Sequence, residues 1–294
     1  MTAVPLRDQS LIPADATGLP QIRFSHAVLP AAMGLMAWSL GLARSPLAPP
    51  VAPRPAPAMP LLPHASELGA PVISAPAGQP GTAVVAIGDV HGCATLLERA
   101  IAPHLGTGVE LLFLGDLVDR SPEPQGDRRV LERIWALQAD PAASGLAAVT
   151  VLRGNHEQML LDAIDEAALE SGGPARAAWI RNGGDASLLP FARSHRDWFA
   201  ALPHLAIRGE HLFVHAGVRP GIPLEQQISQ DLIWIRQPFI KSADHGLPWI
   251  VVHGHTPASH GNITRLPHRI GLDTAPWKSG RLIALRLEPT AALR

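Results

Sequence analysis

From residue 81 onward, short apolar runs alternate with longer amphipathic segments. Five of the runs have the length and composition of strands buried on both faces, and each is followed by a glycine beside Asp, Asn or His. The runs are Ala83–Ile87, Leu111–Leu114, Ala148–Leu152, His211–Val214 and Trp249–Val252. Ligand sites in open α/β sheets form beyond the carboxyl ends of the strands, so the pattern predicts that these polar clusters meet at one edge.

The segments after the first three runs have the periodicity of helices. It predicts helices over Ala94–Ala102, Asp127–Ala139 and Gln158–Leu169, with shorter helices over Ala175–Ile180 and Asp197–Ala201. Strands that alternate with helices of this length are typical of βαβ units and a parallel sheet.

Past His204 the chain is richer in strands, and further strands are predicted over Arg269–Leu272 and Leu282–Leu287. This second half suggests added antiparallel strands. The predicted fold class is therefore α/β, with two sheets packed as a sandwich and flanked by helices.

Residues 1–80 have a different composition from the rest of the chain. They hold half of the 30 prolines, and residues 45–80 are dense in Pro and Ala. Such a segment buries too little apolar surface to offset the entropy lost on ordering, which predicts a flexible or polyproline-like linker. We therefore predict an N-terminal extension over residues 1–80 and a folded domain over residues 81–294.

Residues 27–43 form an apolar segment without charge, flanked by Arg23 and Arg44. The segment is shorter than the roughly 20 apolar residues of a membrane span. We expect an extra helix or an unfolded extension, and a cytoplasmic protein. Membrane anchoring through residues 27–43 is the less favoured alternative.

The net charge of the chain is −1, so the chain lacks the excess of basic residues that is typical of nucleic-acid-binding proteins. No nucleic-acid partner is therefore expected. Cys93 is the single cysteine and excludes an intramolecular disulfide. Cys93 and Arg99 have the C-x5-R spacing of cysteine-dependent phosphatases. The residues between them favour a helix and include no glycine, so no loop of free amides for a phosphate is expected, and Cys93 is predicted to be a small packed residue.

The polar residues at the strand ends suit a pair of metal ions. Asp89 and His91 lie two residues apart in a predicted tight turn, so both can reach one ion, and Asp116 follows the next strand. A carboxylate has two oxygens and can bridge two ions. The second ion's ligands would be completed by three further residues, namely Asn155, His215 and either His253 or His255.

A ligand set of oxygen and nitrogen atoms suits Mn, Fe or Zn and argues against Ca. Two such ions about 3.5–4 Å apart stabilise the entering and leaving oxygens of a phosphoester displacement, and they lower the pKa of a shared water. Arg120 can then clamp phosphate oxygens in a bidentate manner. His156 can protonate the leaving alkoxide, and Asp119 can hold its ring.

Five motifs together resemble the series found in the serine/threonine protein phosphatases of the calcineurin-like metallophosphoesterase superfamily, including the bacterial and phage members. The motifs are GDVHG at 88–92, GDLVDR at 115–120, GNHE at 154–157, HAG at 215–217 and GHT at 254–256. The resemblance covers about residues 83–287. It implies an α/β sandwich and hydrolysis of phosphoserine or phosphothreonine in a phosphoprotein substrate, with two divalent metal ions, Mn2+ foremost and Fe or Zn as alternatives.

The resemblance also implies a role for each matching residue. Three residues would hold the first metal: Asp89, His91 and Asp116. Four would hold the second: Asp116, Asn155, His215 and His255, with His255 preferred over His253. His156 would be the acid, paired with Asp119, and the substrate phosphate would contact three residues: Arg120, Asn155 and Arg236, the last of these from the segment DLIWIR at 231–236.

Two departures from the family pattern concern the substrate cleft. Ser121 replaces the usual glycine after Arg120, so the turn there is expected to differ. The family's C-terminal strand usually ends in Asp-Thr-Gly-Ala, whereas here the segment reads DTAPW at 273–277, and the bulky Pro276 and Trp277 are expected to reshape one wall.

Two other functions remain open. One is hydrolysis of dinucleoside polyphosphates, symmetrical tetraphosphates included. The tetraphosphatases usually lack an acid at the position of Asp119 and carry GNHD, which favours the protein phosphatase. The other is an inactive module whose Pro-rich arm binds a partner that recognises polyproline. This alternative is disfavoured because every predicted metal-binding position carries a suitable residue.

Overall fold

The computed structural model describes residues 71–166 and 173–290. Its strands are β1 (Val84–Ile87), β2 (Glu110–Phe113), β3 (Ala148–Val151), β4 (Leu205–Arg208), β5 (His211–Val214), β6 (Ile250–His253), β7 (Thr264–Leu266), β8 (Arg269–Gly271) and β9 (Ala284–Leu287). Its α-helices are α1 (Ala94–Ile101), α2 (Gly126–Ala139), α3 (Asn155–Glu166), α4 (Pro174–Arg181), α5 (Leu189–Arg193), α6 (Arg196–Ala201), α7 (Ser229–Trp234) and α8 (Pro276–Ser279).

The strands form two mixed sheets, which confirms the predicted two-sheet sandwich flanked by helices. The first sheet has the order β3-β2-β1-β9, with β1, β2 and β3 parallel and β9 antiparallel to β1. The second has the order β4-β5-β6-β8-β7. Alternate residues of each central strand face opposite layers, because side chains in a strand alternate across the sheet.

Three apolar layers hold the sheets and helices together. Val85 and Ile87 of β1 pack with the helices on one face of the first sheet. Val84 and Ala86 face the other way and pack against residues of the second sheet, including Val252. A third layer covers the outer face of the second sheet and includes residues of β5 and α7. Both central sheets are thus buried on two faces, which explains why their strands are continuous apolar runs.

The prediction of added antiparallel strands in the second half is confirmed for β9 and for the edge strands of the second sheet, but the central strands of that sheet differ from it. β5, β6 and β8 are parallel, and only the edge strands β4 and β7 run antiparallel to their neighbours. Parallel alignment brings the carboxyl ends of β5 and β6 to the same edge, and the polar residues that follow both strands meet there.

The helix boundaries follow the predictions within a few residues, with one difference that matters for the site. α3 begins at Asn155 and not at Gln158, so the GNHE motif supplies the first turn of the helix. The predicted end at Leu169 lies outside the described residues. The sequence analysis does not predict the edge strands β4 and β7 or the short helices α5, α7 and α8.

Residues 71–80, at the end of the predicted linker, pack on the second sheet. Ser74 forms a parallel bridge with Leu205, and the Ala75 N–H donates to the Leu205 carbonyl at 2.8 Å. The His204 N–H donates to the Ile73 carbonyl at 2.7 Å. The predicted extension over residues 1–70, with the apolar segment 27–43 and most of the linker, lies outside the described residues. Within the described part of the chain, no helix is both long enough and apolar enough to span a bilayer.

Candidate active site

The polar clusters predicted at the ends of the strands come together in the structure. They follow the carboxyl ends of β1, β2 and β3 in the first sheet and of β5 and β6 in the second. Nine buried residues of the predicted motifs gather at this edge: Asp89, His91, Asp116, Asp119, Asn155, His156, Glu157, His215 and His255.

Asp116 occupies a strained turn that Glu157 holds in place. Gly115 and Asp116 have φ values of 97° and 51°, in the left-handed region that favours glycine. The buried Glu157 carboxylate accepts three backbone N–H groups there, from Asp116 at 2.8 Å, Leu117 at 2.7 Å and Gly154 at 2.9 Å. Sequence reasoning used Glu157 only to discriminate between substrates, and its role in holding this turn emerges from the structure.

Replacing Glu157 with Gln is expected to destabilise the fold and loosen the Asp116 turn. An amide offers one oxygen where the carboxylate offers two, so at least one buried N–H donor faces an NH2 group. An unsatisfied buried donor costs about 1–3 kcal/mol. We expect the free energy of unfolding in urea to fall by about that amount.

The matched control is Glu132→Gln on α2, whose carboxylate is about half exposed and pairs with Arg128. Its effect should stay within about 0.5 kcal/mol. Equal stability of the Glu157→Gln and Glu132→Gln variants would contradict a holding role for Glu157.

The imidazoles of His91 and His215 face the Asp116 carboxylate. His91 Nε2 lies 3.7 Å from Asp116 Oδ2, and His215 Nε2 lies 3.3 Å from Asp116 Oδ1. The Nδ1 atoms of both rings hydrogen-bond backbone carbonyls, of Val118 and Leu114, at 2.9 Å. A neutral ring that donates through Nδ1 presents Nε2 as a free electron pair, which is the form that binds a metal.

The pKa values of Asp116, His91 and His215 are shifted by burial and by their mutual charges. Burial opposes ionisation of Asp116, but the surrounding imidazoles, His215 foremost, hold its pKa well below its ordinary value. Burial lowers the pKa of His91 to about 3, against the pull of Asp116. Burial also opposes charge on His215, yet Asp116 raises the pKa of that imidazole to about 9. Asp116 therefore remains a carboxylate, and His91 remains a neutral ligand.

Asn155 lies between His215 and His255. Asn155 Oδ1 is 2.9 Å from His215 Nε2 and 2.8 Å from His255 Nδ1. The ligand atoms of Asp116, His215 and His255 lie within 4.8 Å of one another. These are the residues predicted for the second metal, and the structure brings all four together.

The predicted first set is Asp89, His91 and Asp116, and the group of ligand atoms that lie close together here differs from it in one residue. The ligand atoms of His91, Asp116 and His156 lie within 4.8 Å of one another, so distance alone groups His156 with this set. Asp89 lies beside them and accepts the His255 N–H at 3.1 Å through both oxygens. Burial, together with the charge of Asp273, raises the pKa of Asp89 well above its ordinary value.

Asp273 is a buried carboxyl group of the site that the sequence predictions left without a role. Its pKa is raised by burial and by Asp116, and Asp273 Oδ1 accepts the Ala275 N–H at 2.7 Å. Several buried carboxyl groups this close together repel one another, and a bound cation relieves that repulsion.

Glycines leave room for the acids at this edge. A Cβ at Gly154 would lie 2.3 Å from Asp116 Oδ1, and a Cβ at Gly254 would lie 2.1 Å from Asp89 Oδ1. The oxygen and nitrogen donors, the crowded carboxyl groups and the space left by glycine all fit divalent metal ions.

The second histidine of HGH, His255, faces the cluster, and the first, His253, does not. His253 Nδ1 contacts the Gly254 carbonyl at 3.0 Å, and its Nε2 lies 3.1 Å from Arg269 Nη1. This arrangement agrees with the preference for His255 as the ligand.

His156 and Asp119 form the predicted pair. His156 Nδ1 lies 2.6 Å from Asp119 Oδ2, and both side chains are buried. His156 Nε2 has no hydrogen-bond partner among the described residues and lies 3.9 Å from Asp116 Oδ2. Burial opposes charge on His156, but Asp116 and Asp119 outweigh it and raise its pKa. A raised pKa favours the protonated form, which a general acid requires.

Arg120 reaches into the same cluster. Its Nη1 lies 2.9 Å from His91 Nε2, and its Nε donates to the Asn182 carbonyl at 3.2 Å. Asp119 and Arg120 both have left-handed backbone angles, with φ of 71° and 60°. Ser121 is outside the left-handed region, and its hydroxyl donates to the Gly92 carbonyl at 3.0 Å. The turn therefore accommodates serine in place of glycine.

Two further side chains lie near the cluster: Arg236 beside His255, and Trp277 beside Arg120. Arg236 Nε donates to His255 Nε2 at 3.1 Å, so the structure brings this arginine to the cluster as predicted. The half-buried Trp277 ring lies 5.7 Å from Arg120 Cζ, and Lys278 Nζ lies 4.3 Å from the ring centroid. Trp277 thus forms a wall beside Arg120.

Cys93 has none of the properties of a nucleophile. It is buried directly before α1, and burial raises the pKa of its thiol to about 12. A reactive cysteine needs a lowered pKa. The structure therefore excludes the alternative raised by the C-x5-R spacing.

Comparison with known proteins relates this geometry to a family. A family model described as calcineurin-like phosphoesterase matches residues 82–279. Serine/threonine-protein phosphatase 1 of Salmonella typhimurium is 28% identical over 203 residues, which cover 68% of this chain and 70% of the relative. The symmetrical bis(5'-nucleosyl)-tetraphosphatase of Janthinobacterium sp. is 34% identical over 142 residues, which cover 46% of this chain and 43% of that protein.

Solved structures show the same fold. A cold-active protein tyrosine phosphatase superposes with a TM-score of 0.52 at 18% identity, covering 72% of this chain and 77% of the other. At this level of identity the likeness concerns the arrangement of strands and helices, and the two relatives above act on different substrates.

Proposed function

Because the chain belongs to the calcineurin-like metallophosphoesterase family, whose members are hydrolases with a binuclear divalent metal centre, we propose that it removes phosphate from phosphoserine and phosphothreonine in proteins. The observation that carries the proposal is the buried His156–Asp119 pair beside Arg120. Such a pair is suited to protonating an alkoxide leaving group, and serine and threonine leave as alkoxides. The sequence similarity to a serine/threonine-protein phosphatase, which covers 70% of the length of that relative, supports phosphoserine and phosphothreonine as substrates.

The first metal would be held by three residues: Asp89, His91 and Asp116. The second would be held by four: Asp116, Asn155, His215 and His255. The mixture of oxygen and nitrogen donors supports Mn2+, with Fe or Zn as alternatives. When bound, such ions withdraw charge from the phosphoryl oxygens and lower the pKa of a water.

The remaining residues act on the substrate. Arg120 contacts His91, and Arg236 contacts His255. Both arginines would bind the phosphate oxygens, and the Asn155 amide would contact the phosphate as well. His156 would deliver its proton from Nε2 to the leaving oxygen, while Asp119 stabilises the imidazolium through Nδ1.

Hydrolysis of a symmetrical dinucleoside tetraphosphate is the second candidate. The half-buried Trp277 beside Arg120 favours it, because a tryptophan face next to a phosphate site can stack on a nucleobase. The 34% identity to a tetraphosphatase supports it too, over less than half of that relative's length.

The full chain, loaded with Mn2+, should be assayed side by side on a phosphothreonine peptide and on diadenosine tetraphosphate. We expect kcat/KM to be higher for the peptide by at least about tenfold, equivalent to about 1.4 kcal/mol of transition-state stabilisation. The Asp116→Asn variant, purified in the same way, measures the background activity of any contaminating hydrolase. A higher kcat/KM for the dinucleotide would replace the protein phosphatase with a nucleotide hydrolase.

A further inference from the structure

Trp179 of α4 is joined to the candidate acid through Asp119. Its side chain is fully buried, and its indole Nε1–H donates to Asp119 Oδ1 at 2.8 Å and to Asp119 Oδ2 at 2.9 Å. Gly184 makes space for the ring, because a Cβ there would lie 2.2 Å from Trp179 Cε2. A single N–H shared between both oxygens fixes the plane of the carboxylate.

The direction of these hydrogen bonds sets the histidine's tautomer. An indole N–H can only donate, so both Asp119 oxygens act as acceptors toward it. When Asp119 is ionised its oxygens can only accept, so His156 Nδ1, at 2.6 Å from Asp119 Oδ2, donates the next hydrogen bond. The other ring nitrogen, Nε2, is left to face the cluster, where it has no partner among the described residues.

The segment that carries Trp179 also holds the phosphate-binding arginine. The Asn182 carbonyl accepts from Arg120 Nε at 3.2 Å, and the Gly183 carbonyl accepts from the Arg120 N–H at 2.9 Å. The end of α4 therefore touches both members of the left-handed Asp119–Arg120 turn.

We propose that Trp179 is a positioning residue that orients His156, through Asp119, so that Nε2 delivers the proton to the leaving group. The inference rests on the proposed phosphomonoesterase function. It predicts that Trp179 matters most for substrates whose leaving oxygen needs a proton.

The test compares two substrates with the full chain loaded with Mn2+. A phosphothreonine peptide has an alkoxide leaving group, whereas p-nitrophenyl phosphate has a phenolate that leaves without a proton. We expect Trp179→Phe to lower kcat on the peptide about tenfold to a hundredfold, a part of what general acid catalysis supplies. On p-nitrophenyl phosphate the loss should stay below about threefold.

Trp198→Phe is the matched control. The Trp198 indole N–H also donates to a side chain, Gln138 Oε1 at 3.0 Å, at a part-buried position, and neither residue is among the candidate site residues. This variant loses the same kind of hydrogen bond and should keep the wild-type ratio of the two rates. A second variant has β-(3-benzothienyl)alanine at position 179, which replaces the indole N–H by sulfur and keeps the volume of the ring. It is used for the same comparison of rates if Trp179→Phe does not fold.

A second readout does not depend on activity. The short His156–Asp119 hydrogen bond should give a strongly downfield Nδ1 proton in the NMR spectrum of the full chain. We expect this resonance to move upfield or exchange faster in Trp179→Phe. A folded position-179 variant with the wild-type rate ratio and an unchanged resonance would overturn the inference. Wild-type chain that hydrolyses neither phosphomonoester would instead refute the proposed function, and the resonance would still test the role of Trp179.

Discussion

The Asp116→Asn variant should lose the metal ions and fall below about 1% of wild-type activity. Asp116 is the one side chain shared by both sets of metal donors, because His91 and His215 face its two different oxygens. An amide retains one neutral acceptor and cannot bridge two cations. Loss of an outer hydrogen-bond partner of a metal ligand already costs 10- to 100-fold in affinity, and we expect loss of the bridging ligand to cost more than about a hundredfold.

Metal content after desalting and calorimetric titration with Mn2+ measure this directly. Thermal unfolding gives a second measure, since a ligand at about 100 times its Kd stabilises the native state by about 2.7 kcal/mol. The wild-type chain should gain that stability with Mn2+, and the variant should not. Asp165→Asn, at an exposed residue paired with Arg196, is the control and should bind metal normally. Asp116→Asn binding two ions with wild-type affinity would refute the assignment of the centre.

The candidate site residues could be predicted from the sequence because they follow buried strands. Strand ends such as those before Asp89 and Asp116 are marked by a change from an apolar run to a glycine and an acidic residue. This signal is local, so it can be recognised without knowing the order of the strands. The two-sheet sandwich followed from the same alternation. The direction of β5, β6 and β8 did not, because periodicity reports which residues are buried and carries no information on strand direction.

The residues that hold the site in shape could not be found in that way. Trp179 lies 60 positions from Asp119, and Glu157 lies 41 positions from the Asp116 N–H that it binds. On the helical pattern of α4, Trp179 is indistinguishable from an ordinary core residue, and only the tertiary structure shows where its N–H points. The same holds for Asn182 and Gly183, which contribute backbone carbonyls that any residue possesses.

The tight turns at the site explain why the sequence pattern there is more specific than elsewhere. Asp116, Asp119 and Arg120 all adopt left-handed backbone angles, which cost about 1 kcal/mol or more for residues other than glycine. These conformations persist because contacts remote in sequence hold them, from Glu157 and from the end of α4. The backbone is therefore held in place at the residues that we propose as phosphate-binding and proton-donating groups.

The His156→Asn variant should keep its metal ions and lose most of its turnover on alkyl phosphates. Asparagine keeps a backbone N–H for Asp116 Oδ1, the contact that His156 makes at 3.0 Å, so the first turn of α3 is preserved. It lacks an ionisable ring, and the leaving alkoxide then has no proton donor. General acid catalysis supplies about 10²- to 10⁴-fold, so kcat on a phosphothreonine peptide should fall within that range.

Two comparisons separate this effect from damage to the metal centre. On p-nitrophenyl phosphate, whose leaving group needs no proton, His156→Asn should lose far less activity, whereas Asp116→Asn should lose activity on both substrates. The control His104→Asn changes a half-buried histidine after α1 that lies outside the cluster's motifs, and it should match wild type. If His156→Asn retained full turnover on the peptide, the proton would come from another group. Measured loss of metal from this variant would instead assign His156 to the first set of ligands, where its Nε2 already lies 3.9 Å from Asp116 Oδ2. The two variants together therefore decide between an acid and a ligand at position 156.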